Sequence, residues 1–160
     1  MAGTALITDD AGEFRAGLPD GGVLLALDIG TKTIGLASCD AGWMFATAGK
    51  TLPRGKFTRD KAALEDIVRE RGIAGFVIGL PRNMDGSEGP RAQASRAYAR
   101  NLAPLGLPIL LWDERWSTAS AERSMIEQDT SRRKRAERID SHAAAVILQG
   151  AIDRLSGGLF

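Results

Sequence analysis

The 160-residue chain is sparing with the side chains that most often do chemistry alone. It has one cysteine (Cys39), one histidine (His142) and one tyrosine (Tyr98). A single cysteine excludes an internal disulfide and any multi-cysteine metal site. Cys39 follows a predicted strand with no histidine near it, so it reads as a small half-buried filler. The lone histidine argues against a Ser/His/Asp hydrolase. On helical spacing it sits about 200° around from Asp140, at the surface or its boundary. Aromatic residues are few, and Trp43, Trp112 and Phe76 read as core. No apolar run approaches the roughly 20 residues of a membrane span. The N-terminus carries Asp9, Asp10 and Glu13 where a secretory signal would have a basic start and an apolar centre. These absences predict a cytoplasmic protein with no membrane partner. There is no internal repeat.

Strong net charge is also lacking, at +1, but the balance is uneven. Residues 1–22 sum to −3. Residues 131–138 hold five basic side chains, among them Arg132, Arg133, Lys134 and Arg135, against one acid. A local basic run suits an anionic partner.

What is present is a regular alternation of apolar runs and amphipathic stretches. Residues 1–20 show no sustained period and are expected to form a disordered tail. Residues 21–160 then make one domain, whose length allows a real core. Strands are expected at 23–29 and 33–39. A third, at 43–51, follows the turn Asp40-Ala41-Gly42. A helix over 56–71 has Ala62, Ala63, Ile67 and Val68 at helical spacing, and Gly72 closes it. A buried strand at 73–80 is stopped by Pro81. A helix over 91–103 buries Ala92, Ala99 and Leu102. A strand covers 107–112, Ser117 or Thr118 caps a helix to about 127, and a last helix runs from 136 to 155. Its stripe is Ile139, Ala143, Val146, Ile147 and Gly150. Strands that follow helical crossovers run parallel to the first. The order predicts an α/β fold: a five-stranded mixed sheet, an antiparallel meander plus two parallel strands, with helices on both faces.

Three polar sites converge on one edge of that sheet: Asp28, the loop with Asn83, Asp85 and Ser87, and Asp113-Glu114. Ligands of open α/β sheets bind at this carboxyl edge. Asp28 ends the apolar run Val23–Ile29, where a carboxylate is costly unless something pairs with it. Asp28 shares a face with Leu24 and Ala26. Asp113 and Glu114 point to opposite faces if their strand continues, and spacing alone leaves open which one joins Asp28. Asp140 has Ala144, Ile147 and Ala151 at steps of four, seven and eleven, an apolar line suggesting that it faces the protein. An exposed acid among Arg133, Arg135 and Arg138 is the alternative. Converging carboxylates suit Mg²⁺ or Mn²⁺, and two such ions support phosphodiester cleavage. The basic run would then hold phosphates without reading sequence.

Four segments in order resemble the YqgF family, also called RuvX. They are Leu27-Asp28-Ile29-Gly30-Thr31-Lys32-Thr33-Ile34-Gly35, Gly79-Leu80-Pro81-Arg82-Asn83-Met84-Asp85-Gly86-Ser87, Asp113-Glu114-Arg115-Trp116-Ser117-Thr118 and Ile139-Asp140-Ser141-His142-Ala143-Ala144. The resemblance spans about residues 23–155. It implies a ribonuclease H-like fold. It also implies a nuclease that matures the 5′ end of precursor 16S ribosomal RNA, or resolves Holliday junctions in branched DNA. The acidic triad it implies is Asp28, Glu114 and Asp140, favouring Glu114 over Asp113. Lys32 and Arg115 join Arg132, Arg133, Lys134 and Arg135 as candidate nucleic-acid contacts. Related resolvases carry a second acid one turn after the helix Asp, where this chain has Ala143. Trp116 stands where a smaller aliphatic is common. A homodimer would suit a two-fold junction.

Two other readings compete. Actin-like and sugar-kinase-like phosphotransferases also place Asp-x-Gly-Thr after a buried strand, but they need two lobes and this chain has length for one. A non-catalytic RNA-binding module would keep the fold and lack metal-dependent cleavage.

Overall fold

The computed structural model describes residues 5–18, 21–116 and 132–157; side chains at 116 and 132–141 lie outside the description. The elements are β1 (Ile7–Thr8), α1 (Ala11–Ala16), β2 (Val23–Ile29), β3 (Thr33–Cys39), β4 (Ala46–Pro53), α2 (Phe57–Arg71), β5 (Ile73–Leu80), α3 (Pro90–Leu102), β6 (Ile109–Asp113) and α4 (Arg132–Gly157). Short 3-10 turns cover Ala103–Leu105 and Glu114–Trp116.

The sheet order is β1-β6-β5-β2-β3-β4. Strands β1, β6, β5 and β2 are mutually parallel, and β3 is antiparallel to both β2 and β4. Strand alternation divides the core in two. Leu25, Leu27 and Ile29 of β2 face α2 and α3, with Leu64, Ala99 and Leu102. Leu24 and Ala26 face α1 and α4, with Phe14, Ala144, Ile147 and Leu148. Helices therefore cover both faces, as the alternating pattern requires.

The sheet has six strands where five were expected, and the expected disordered tail is partly folded. Residues 7–8 add to the open edge of β6. Asp10 caps α1 by accepting from the Gly12 and Glu13 amides, and Phe14 is fully buried. A two-residue strand and a six-residue helix are too short to carry a period. The third predicted strand begins later, at Ala46, because the Asp40 carboxylate gathers the amides of Gly42, Met44 and Phe45 into a longer turn, with Trp43 at φ 59°. In α2 the buried apolar residue is Leu64, while Ala62 is exposed. In α4, Val146 and Gly150 are only half-buried; Ala144, Leu148, Ala151 and Ile152 take the sheet face with Ala143 and Ile147. The helix expected at 117–127 lies outside the described residues. Among the described residues no helix is long and apolar enough to cross a membrane.

Candidate active site

Asp28 lies at the carboxyl end of β2 and is 1% exposed. Its even number puts it on the face of Leu24 and Ala26, beneath α4. The pairing of Leu27 with Ile78 sets Asp28 level with Gly79 on the neighbouring β5. On the other side Gly79 pairs with Trp112 of β6. Trp112 and Leu110 belong to the α4 face, so Glu114, two residues on, returns to that same face. Glu114 is 3% exposed. Its Oε2 lies 3.0 Å from where a Cβ on Gly79 would stand, and Ile147 Cδ1 of α4 lies 2.5 Å from that point. Strand spacing alone would hold the backbones of β2 and β6 about 10 Å apart. The missing side chain at Gly79 gives the Glu114 carboxylate room to lean inward over β5, toward the Asp28 side.

Asp113 is also buried, but it has the opposite orientation and different company. Arg115 clamps it, with Nε at 3.1 Å from both oxygens, Nη2 at 2.7 Å and its backbone N–H at 3.0 Å. Arg82 adds an ion pair at 3.6 Å. Burial pushes the Asp113 carboxyl up, but the Arg115 side-chain and backbone hydrogen bonds outweigh it, holding the group below the usual carboxylate range. The pair that spacing left open is thus separated by face: Glu114 sits on the Asp28 side, and Asp113 is held by arginines.

The loop after β5 is closed by its own hydrogen bonds. The Asn83 amide donates to Ser87 O at 2.8 Å, and the Gly86 amide to Asn83 O at 2.9 Å, with Gly86 at φ 90°. Ser87 donates through both its amide and its hydroxyl to Asp85 Oδ1, and these bonds keep the Asp85 carboxyl acidic. Asn83, Asp85 and Ser87 therefore bond to one another, and Arg115 reaches Met84 O at 3.4 Å. Beyond the loop, Arg96 grips Glu88 at 2.6 and 2.7 Å, and its hydrogen bond holds the Glu88 carboxyl low; Arg82 joins at 3.3 Å.

Lys32 is exposed in the β2–β3 turn, and His142 is exposed as expected. The backbone of Asp140 and of the run Arg132, Arg133, Lys134 and Arg135 lies in α4. Their side chains are outside the described residues. Ala144, Ile147 and Ala151, in line with Asp140, are all fully buried against the sheet. Among the described residues no three metal-ligating side chains cluster. The two that share a face, Asp28 and Glu114, are hard oxygen donors of the kind that Mg²⁺ and Mn²⁺ take. Sequence reading missed Arg91, whose Nη2 lies 3.7 Å from Asp28 Oδ1 and also donates to Ile29 O. Its signal was a cation in the first turn of the helix after the loop.

A family model described as "RuvX: Holliday junction resolvase" matches residues 22–154. The chain belongs to the RuvX family. A Novosphingobium aromaticivorans protein named "Putative pre-16S rRNA nuclease" is 67% identical over 155 residues, covering 97% of this chain and 100% of that protein. A Sphingopyxis alaskensis protein of the same name is 62% identical, covering 94% and 99%. Among solved structures, Thermus thermophilus RuvC in complex with a Holliday junction substrate overlays with a TM-score of 0.53 at 13% identity. It covers 85% of this RuvX chain and 96% of RuvC. That likeness shows a shared ribonuclease H-like fold, with β1 as a sixth strand.

Proposed function

We propose that this RuvX protein is a divalent-metal-dependent endonuclease that matures the 5′ end of precursor 16S ribosomal RNA. The observation that carries the reading is the pair Asp28 and Glu114, both buried and on one face, with Gly79 on the strand between β2 and β6. Asp140 is the third ligand of this reading; the buried line Ala144, Ile147 and Ala151 below it supports that placement. Asp28, Glu114 and Asp140 would hold Mg²⁺ or Mn²⁺. When bound, such a metal supplies charge stabilisation at the phosphate and eases deprotonation of the attacking water. Gly79 keeps space over β5 for the Glu114 carboxylate. The α4 face covers the sheet and limits water around the carboxylates. Lys32 and the run Arg132–Arg135 contribute phosphate contacts, while Arg115 steadies Asp113 and the loop. The names of the two relatives support ribosomal RNA as the substrate; the cytoplasm is the compartment of this reading.

The family description names a second reading, cleavage of Holliday junctions, for which a homodimer would suit the two-fold junction. The test offers the purified protein a precursor 16S RNA 5′ leader and a mobile four-way DNA junction, each with Mg²⁺ or Mn²⁺. Metal-dependent cleavage of the RNA alone is expected, and Asp28→Asn abolishes it. Cleavage of the junction alone favours the resolvase, and cleavage of neither favours a binding module.

A further inference from the structure

The carboxyl edge of the sheet has two flanks with opposite electrostatic characters. On the β6 side, the arginines among the described residues are already paired: Arg96 and Arg82 with Glu88, and Arg115 and Arg82 with Asp113. On the β3–β4 side, Arg54 is held on backbone and Arg59 packs over Gly55. Arg54 Nη1 donates to Gly30 O at 2.8 Å, and its amide donates to Lys32 O at 2.8 Å. Arg59 lies where a Cβ on Gly55 would stand, so the glycine makes its seat. Arg91 donates to Ile29 O at 3.3 Å and leaves 42% of its side chain exposed, with Asp28 at 3.7 Å. Lys32 and Lys56 are exposed beside them. Among the described residues, the carboxylates at this cluster are Asp28 and the buried Asp60, which accepts from the Gly55 amide.

Two guanidiniums are thus fixed on the successive carbonyls that follow Asp28. Each has five donors, and the backbone contact uses one. Helices α2 and α3 also begin at this edge, at Phe57 and Pro90, neither with a side-chain cap, adding positive potential. A group of cations, two of them pre-ordered on backbone carbonyls, suits a polyanion, because fixed side chains lose little freedom when they bind.

We propose that Lys32, Arg54, Lys56, Arg59 and Arg91 form the track on which the sugar–phosphate backbone of the nucleic acid runs away from Asp28. The strand leaves across the β2–β3 turn and the start of α2, and the β6 flank carries little of it. This rests on the nuclease reading for its direction, though not for its chemistry. Contacts of this kind position the backbone and read no bases.

The test is binding of a fluorescent single-stranded RNA to the full chain in EDTA, followed by anisotropy across a salt series. Arg54→Ala, Arg59→Ala and Lys56→Ala should each weaken binding of unrelated sequences alike. Each should also lower the slope of log K against log salt by about 0.7. Arg54→Lys should keep most of the slope. Arg96→Ala, on the paired flank, should leave it unchanged. Unchanged slopes for both Arg59→Ala and Lys56→Ala, which are exposed and fold-neutral, would overturn the track. So would an equal loss with Arg96→Ala. Metal-dependent cleavage by the wild type is scored separately. Altered slopes without any cleavage would keep the track and reject the nuclease, and cleavage with unaltered slopes would do the reverse.

Discussion

Gly79→Ala probes the point where the sheet and the candidate site meet. The new methyl would stand 2.5 Å from Ile147 Cδ1 and 3.0 Å from Glu114 Oε2. The backbone itself tolerates alanine, and a strand glycine ordinarily costs about 0.5–1 kcal/mol relative to alanine. Overpacking costs about 1–3 kcal/mol. Ile147 Cδ1 is the end of a flexible side chain and can rotate, whereas the Glu114 carboxylate must move by a few tenths of an ångström. The expected net loss is about 0–2.5 kcal/mol, and at about 2–4 °C per kcal/mol the melting temperature falls by less than about 10 °C. Activity should suffer more. A misplacement of about 1 Å in a reacting constellation costs about 100-fold, so kcat should fall about 10- to 100-fold. The assay pairs single-turnover RNA cleavage with a thermal melt. A wild-type kcat in a folded Gly79→Ala protein would refute the idea that Gly79 makes room for Glu114. Loss of folding at 25 °C would refute the energetic estimate.

Three further outcomes are expected. Asp28→Asn should abolish cleavage and hold or raise the melting temperature, since it removes a buried carboxylate from the face it shares with Glu114; a large loss of stability would mean that the Arg91 contact is structural. Asp113 is held below the usual carboxylate range, so it stabilises the fold above its unfolded pKa of about 3.9, and that contribution is lost as pH falls through its lower folded value. Arg115→Ala raises the folded value, so acid unfolding should start at a higher pH, and an unmoved acid limb would contradict the clamp. Burial pushes the Cys39 thiol up, so native protein should react slowly with a thiol reagent at pH 8 and quickly in denaturant.

Much of the fold was legible because its central strands are largely apolar runs ended by turn residues: Gly30 after the first, Asp40-Ala41-Gly42 after the second and Pro81 after the third. Val23–Ile29, Thr33–Cys39 and Ile73–Leu80 occur where patterning put them. Strand β1 was not legible, because two residues carry no period and its place depends on an edge that β6 leaves open. The position of Asp28 followed from cost alone, a carboxylate in an apolar strand. The choice between Asp113 and Glu114 depended on whether alternation persists past Trp112 into the 3-10 turn, which spacing does not reveal. Arg54, Arg59 and Arg91 were missed because they come from a strand end and two helix starts. Arg54 and Arg91 are anchored on backbone carbonyls and Arg59 sits over Gly55, contacts that leave no residue pattern.

The central claim, that Asp28 and Glu114 belong to one divalent-metal site and Asp113 does not, is tested most directly by melting temperature against metal concentration. Binding to the folded state alone raises stability by mass action. Wild type and Asp113→Asn should both rise with millimolar Mg²⁺ and with less Mn²⁺, while Asp28→Asn and Glu114→Gln should stay nearly flat. A wild-type curve indifferent to both metals, or a response lost in Asp113→Asn and kept in Glu114→Gln, would contradict the account.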